Sequence, residues 1–166
     1  MTTVYSFPAI ADENARILIL GSMPGKASLQ AGQYYAHPRN QFWPILGELV
    51  GAETALDYVE RTRVLTSAGI ALWDVLKSCY RSSSLDADID KSSIIVNDFA
   101  AFFAGHPHIR QVFFNGATAE QAFRRYVLSA IDAKDLVLQR LPSTSPAHAG
   151  MSYQQKLQSW QSIRNL

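Results

Sequence analysis

Four short apolar runs, each ending on a turn-forming or polar residue, constrain this chain more than any other feature. They are Arg16–Leu20 before Gly21, Gly69–Trp73 before Asp74, Gln111–Phe114 before Asn115-Gly116, and Leu136–Leu141 before Pro142. Their apolar character is continuous rather than alternating, which predicts strands buried on both faces, as in a parallel sheet. Helical stripes lie between them. Phe42, Ile45, Leu46 and Leu49 fall at i, i+3, i+4 and i+7. Ala122, Phe123, Tyr126 and Val127 repeat the stripe behind a Thr118-x-x-Gln121 capping box, and a second box, Ser152-x-x-Gln155, opens a helix carrying Leu157 and Trp160. Thr54–Ser67 and Asp98–Ala104 complete the helical set, and Ser82–Ser93 reads as a polar loop. Strands alternating with helices predict an α/β sandwich around a parallel sheet.

A chain of 166 residues is one domain's worth, expected to run over 1–166. At that size about 70% of the unfolded chain's surface is buried on folding, so neither disulfide nor structural metal is required. The single cysteine, Cys79, excludes zinc sites built from several thiolates. Lys+Arg 15 against Asp+Glu 14 gives a net charge of +1. A nucleic-acid partner would therefore have to meet local positive charge over a small footprint. The opening MTTVYSFPAI lacks the basic start of a secretory signal, and no apolar stretch nears the ~20 residues of a membrane span. The expectation is a cytoplasmic, monomeric protein with no membrane attachment.

In an open α/β sheet, ligands bind outside the carboxyl ends of the strands. That rule nominates Gly21–Gly25, Trp73–Asp74, Asn115–Gly116 and Pro142–His148 as one rim. Within the first, Gly21-Ser22-Met23-Pro24-Gly25-Lys26-Ala27 fails as a phosphate loop. It has three residues between its glycines where four are needed, one of them proline, and Ala27 stands where a magnesium-binding hydroxyl should follow Lys26. Asp86, Asp88 and Asp90 begin like a calcium loop, but Lys91 and Asn97 occupy the positions that require glycine and glutamate. Two stretches remain. Tyr34-Tyr35-Ala36-His37-Pro38-Arg39-Asn40-Gln41-Phe42-Trp43 crowds aromatics around polar groups ahead of a helix; Asn40 can be that helix's N-cap, with Phe42 and Trp43 in the core, or part of a site. Pro142-Ser143-Thr144-Ser145-Pro146-Ala147-His148 is a proline-stiffened hydroxyl-rich loop, readable as a rigid connection or as a binding element.

Taken together, GSMPGKAS, YYAHPRNQFW, GIALWDVL, FFNGATAE and LPSTSPAHA resemble the uracil-DNA glycosylase superfamily, in its DNA-deoxyinosine (hypoxanthine-DNA) glycosylase branch. The motifs run in family order from about Ile17 to His148. The resemblance implies a three-layer α/β/α sandwich around a four-stranded parallel sheet. It also implies a monofunctional DNA glycosylase, without metal or cofactor, acting on deaminated bases in double-stranded or single-stranded DNA. Many relatives place a water-orienting Asp or Asn in the first motif; Ser22 and Met23 stand there, and the role passes to Asn40. The resemblance gives Gly21, Ser22, Met23, Asp74 and Asn115 to base binding, with Phe42 as the aromatic on which the extruded base stacks. Lys26, Arg39 and the loop residues Ser143, Thr144, Ser145, Pro146 and His148 are given to DNA.

These residue types suit the chemistry. An N-glycosidic bond breaks toward an oxocarbenium-like sugar and an anionic base. Asn40 cannot act as a strong base, but its carbonyl oxygen can hold a water for attack on the cationic sugar. Donors around the departing base then carry the catalysis. Three rivals stay open: a uracil-directed glycosylase, a silent nucleic-acid binding member of the fold, and a small-molecule hydrolase.

Overall fold

The computed structural model describes residues 2–164. Its central sheet has four parallel strands in the order β3-β2-β6-β7, with β2 at Ile17–Gly21, β3 at Ile70–Asp74, β6 at Gln111–Asn115 and β7 at Val137–Leu141. Alternate side chains enter two separate cores. Leu18, Leu20, Val112 and Phe114 pack toward α4 (Phe99–Gly105) and α5 (Ala117–Tyr126). Ile17, Ile19 and Phe113 pack toward α2 (Phe42–Val50), α3 (Tyr58–Ser67) and α6 (Tyr153–Trp160). This two-sided burial is why the runs are continuously apolar, and it makes the expected three-layer sandwich. The edge strand β7 departs from the pattern, since Val137, Gln139 and Arg140 are exposed.

The register fixes the rim. Gly21 pairs with Asp74, and Asn115 with Leu141, so all four strands end together. At Asp74 the chain turns out of this sheet and, after Val75, enters β4 (Leu76–Arg81) of a second sheet. That sheet is antiparallel, in the order β1-β4-β5, with β1 at Thr3–Tyr5 and β5 at Ile89–Val96. Asn97 staples the bend, its amide donating to the carbonyls of Asp74 (2.8 Å) and Leu76 (3.3 Å).

Several expectations are corrected. The Ser82–Ser93 stretch is partly ordered: a 3-10 turn at Asp86–Asp88 leads into β5. A six-residue helix, α1 (Lys26–Ala31), follows the Gly21–Gly25 turn. The α5 cap is Gly116, at φ 96°, and Thr118 lies inside the helix, so the Thr118 capping box does not form. A β-carbon at Gly116 would also stand 3.0 Å from that of Ser143. Gln41, not Asn40, is the α2 N-cap residue. The Ser152–Gln155 box forms as expected. The two other predicted helices begin at Asp57 and Asp98 caps, whose carboxylates accept from Glu60 and Ala101 N–H.

Candidate active site

A cavity of about 550 Å³ opens at the carboxyl ends of β2, β3 and β6. All four segments nominated by the strand-end rule contribute to it. Gly21, Ser22, Met23, Asp74 and Asn115 form the part nearest the sheet. Lys26, Asn40 and the loop residues Ser143, Thr144, Ser145, Pro146 and His148 complete the lining. Two expected residues lie elsewhere. Arg39 is exposed and outside the lining, and Phe42 is fully buried behind it.

The position of Phe42 follows from packing. Its ring meets Trp43 and Trp160 edge-on and stacks on Tyr35 with centroids 4.1 Å apart. Tyr35 therefore covers Phe42 and presents the aromatic wall of the cavity. The expected place of Phe42 on the cavity wall is corrected: Tyr35 lies between its ring and the cavity. Tyr35 adopts φ 55°, a left-handed conformation unfavourable by about 1–3 kcal/mol for a bulky residue. Its neighbours hold it there. Tyr34 N–H donates to the Tyr58 hydroxyl (3.0 Å), Trp43 Nε1–H to the Tyr34 carbonyl (2.8 Å), and Ala36 N–H to Ser28 Oγ (3.1 Å).

Asp74 closes the cavity at the sheet end. It is only 4% exposed, and its Oδ2 has no hydrogen-bond partner. Burial, reinforced by Asp86 and opposed by Arg81, raises its pKa to about 7. The missing side chain of Gly21 makes this arrangement possible. A β-carbon there would stand 2.6 Å from Asp74 Oδ1 and 2.8 Å from the Tyr35 hydroxyl, closer than any packed atom tolerates. The Tyr35 hydroxyl is likewise buried without a hydrogen bond, and burial pushes its pKa up.

Asn40 is fixed from both directions along the chain. Its Oδ1 accepts from Phe42 N–H at 2.9 Å, while its own N–H donates to the His37 carbonyl at 2.9 Å. One Oδ1 lone pair is thereby used to orient the carboxamide and the other stays available. His37 also lines the cavity, and its Nδ1 accepts from Arg39 N–H at 3.0 Å, leaving Nε2 to carry the proton of the neutral ring.

The 142–148 loop is held rigidly at its root. Thr144 and Asn115 form a reciprocal buried pair, with Asn115 Nδ2 donating to Thr144 Oγ1 and Thr144 N–H donating to Asn115 Oδ1, both at 2.9 Å. Gln41 N–H donates to the Thr144 carbonyl, joining the loop to the Asn40 wall. From α6, Trp160 Nε1–H reaches the Pro142 carbonyl (2.9 Å) and Lys156 Nζ the His148 carbonyl (2.7 Å). Burial lowers the Lys156 pKa. Pro146, Ala147 and His148 at the loop's tip remain exposed. Arg140, which flanks the rim, is committed to Glu120 at 2.8 Å.

Sequence reasoning passed over Tyr35, His37 and Asp86. The first two lay inside a stretch already singled out, but loop residues carry no periodicity. Asp86 reaches the site from the distant 3-10 turn, accepting from Ser22 Oγ at 2.7 Å, and no local pattern announces that contact.

Comparison with known proteins agrees with the fold. The model of the uracil DNA glycosylase superfamily matches residues 7–164. A hypoxanthine DNA glycosylase of Methanosarcina barkeri is 40% identical over 111 residues, 66% of this chain and 69% of that protein. One from Methanosarcina acetivorans is 40% identical over 114 residues, 68% of this chain and 71% of that one. The solution NMR structure of a uracil DNA glycosylase candidate from Methanosarcina acetivorans superposes with a TM-score of 0.78 at 30% identity, covering 98% of this chain and 99% of that one. The family motifs, the rim they build and these matches agree: the chain belongs to the uracil DNA glycosylase superfamily.

Proposed function

We propose that this chain is a monofunctional DNA glycosylase that hydrolyses the N-glycosidic bond of deoxyinosine, releasing hypoxanthine. The observation that carries this reading is the Asp74 carboxyl, buried at the sheet end of the cavity with Oδ2 unpartnered, where burial pushes its pKa up to about 7. A neutral carboxyl is both donor and acceptor, so it can pair with the N1–H and O6 of hypoxanthine at once. As negative charge gathers on the departing base, that donor hydrogen bond strengthens, whereas an ionised carboxylate would repel the base.

The other groups follow in order. Extruding the nucleotide costs a few kcal/mol, least at mismatched or damaged pairs. The Tyr35 face offers the extruded base a stacking surface, with Phe42 behind it. Asn40 holds a water through its free Oδ1 lone pair, and the water attacks C1′ as the glycosidic bond breaks. One water proton is lost to solvent, the sugar takes the hydroxyl, and the base leaves with the bonding electron pair. The exposed tip of the 142–148 loop enters the minor groove, with Lys26 and Arg39 near phosphates. The proposed enzyme acts as a cytoplasmic monomer without a metal. A uracil reading also has one observation in its favour, because uracil presents the same N–H and carbonyl edge to Asp74.

The test is incubation of the purified protein, in EDTA, with labelled duplexes and single strands carrying one deoxyinosine or one uracil, followed by mild alkali. Cutting at deoxyinosine is expected. Cutting only at uracil would overturn the base assignment, and cutting at neither would overturn the glycosylase reading. Arg39 is exposed and outside the cavity. Arg39→Ala is therefore expected to weaken duplex binding and reduce the log–log salt slope by about 1, with base preference unchanged. An unchanged slope in filter binding across a salt series would place Arg39 away from the phosphates.

A further inference from the structure

Lys156 sits where a lysine is least expected. It ends the first turn of α6, near the positive pole of the helix, and is only 2% exposed. Lysines are almost never buried to this degree without a partner, and an apolar residue one turn before the buried Trp160 would cost less. Among the described residues Lys156 belongs to no ion pair. Its Nζ instead donates to the His148 carbonyl at 2.7 Å.

That bond has a particular place in the 142–148 loop. The root of the loop is tied to the body through Pro142 and Thr144, but the tip is built on itself. Ser145 N–H donates to Ser143 Oγ and Ala147 N–H to Ser145 Oγ, both at 3.2 Å. His148 N–H donates to the Ser145 carbonyl at 3.0 Å, closing a turn with Pro146 and Ala147 at its exposed corner. None of these contacts joins the turn to another element. Among the described residues, the bond from Lys156 is the one hydrogen bond that reaches residues 145–148 from outside the loop. The turn is thus held between two anchors, Thr144 before it and His148 at its end. The second anchor is itself fixed, because the Ser152–Gln155 box and the Trp160 bond to the Pro142 carbonyl seat α6.

We infer that Lys156 is the positioning residue of the DNA-reading turn: by holding the His148 carbonyl it stiffens the Pro146–Ala147 corner, so that the corner can displace a paired nucleotide from the stack. The consequence in DNA rests on the glycosylase reading, whereas the holding of the turn does not. A wedge does work only if it does not yield. Extruding a well-paired nucleotide costs free energy that an unpaired one does not. A loose corner must also be ordered at the moment of binding, which offsets part of what its contacts gain. The effect of Lys156 should therefore grow with how firmly the target base is paired, a dependence that a role confined to stability would not produce.

The test uses Lys156→Met, which keeps the packing of the stem and removes the donor, and Lys156→Gln, whose amide is too short to reach the carbonyl. In the free protein, nitrogen relaxation gives the order parameters of the Ala147 and His148 amides. They are expected near about 0.85 in the parent and below about 0.6 in the variants, with Asn115 and Thr144 at the root unchanged. Single-turnover excision is then compared on two duplexes, one with deoxyinosine paired to cytosine and one with deoxyinosine as an unpaired bulge. The variants should lose about tenfold on the paired duplex and less than about twofold on the bulge. A tip equally ordered in parent and folded variant, or equal losses on both duplexes, overturns the inference. Variants that both fail to fold assign Lys156 to the stability of α6 and overturn it equally. A tip that loosens in the variants of a parent that cuts neither duplex would uphold the holding of the turn and reject the glycosylase reading instead.

Discussion

Asn40→Ala is expected to fold with an unchanged melting temperature, to bind lesion-containing duplex as tightly as the parent, and to lose at least about 100-fold in single-turnover excision. The loss is expected because a water displaced by about 1 Å from its attacking line costs on that order. Binding is expected to survive because the DNA-facing groups proposed here, on the 142–148 loop and at Lys26 and Arg39, do not depend on the carboxamide. Stability should survive because Asn40 is only half-buried, and the Phe42 N–H it releases lies at the first turn of a helix, where water can take its place. Asn40→Asp makes the contrast sharper. A carboxylate keeps the acceptor for the water and adds a base, so it should retain more activity than alanine. Rapid-quench excision with enzyme in excess measures both. Near-parental rates in Asn40→Ala would take the water-orienting role away from Asn40, with His37 of the same lining the next residue to test.

The ends of the central strands were legible because burial on both faces demands unbroken apolar runs, and each run must stop where the chain turns. That pattern located the rim and the four strand-end segments that line the cavity, but neither the Tyr34–Asn40 stretch nor the 3-10 turn. The second sheet was not legible for the complementary reason. Leu76–Arg81 and Ile89–Val96 are half-exposed strands with register shifts between them, so their apolar residues are interrupted by Lys77, Tyr80, Lys91 and Ser92. Phe42 shows how one residue can satisfy two patterns. It belongs to the helical stripe with Ile45, Leu46 and Leu49, which predicts core, and it also matches the base-stacking aromatic suggested by resemblance. Packing decides for the core, and Tyr35 takes the cavity wall from a left-handed loop position that no periodicity could flag. The Asp74 carboxyl was visible as a strand-end residue, but its burial beside Gly21, and hence its titration near neutrality, depends on three segments meeting in space.

That titration makes Asp74→Asn the substitution with opposite consequences for stability and for pH dependence. Asp74 ionises at about 7 in the folded protein against an ordinary value of 3.8. Between those values the folded state keeps a proton that the unfolded state has released. Folding stability therefore falls as pH rises through this window, by about 1.4 kcal/mol per unit, and levels off above about 7. The cumulative loss is about 4 kcal/mol, and asparagine, which never ionises, escapes it. The stability of Asp74→Asn relative to the parent should accordingly increase by about that amount between pH 4 and pH 8, read by urea titration at each pH. Excision should diverge in the same range. Asparagine offers the donor and acceptor pair of the neutral acid at every pH, so deoxyinosine excision near pH 6 should stay within about tenfold of the parent. Above pH 7 the parent loses about tenfold per unit as the carboxyl ionises against the departing base, while the variant does not, a divergence of about 100-fold at pH 9. If the parent held its rate to pH 9, the proton on Asp74 would play no part in base release, and its raised pKa would be only the consequence of burying a carboxyl beneath Tyr35.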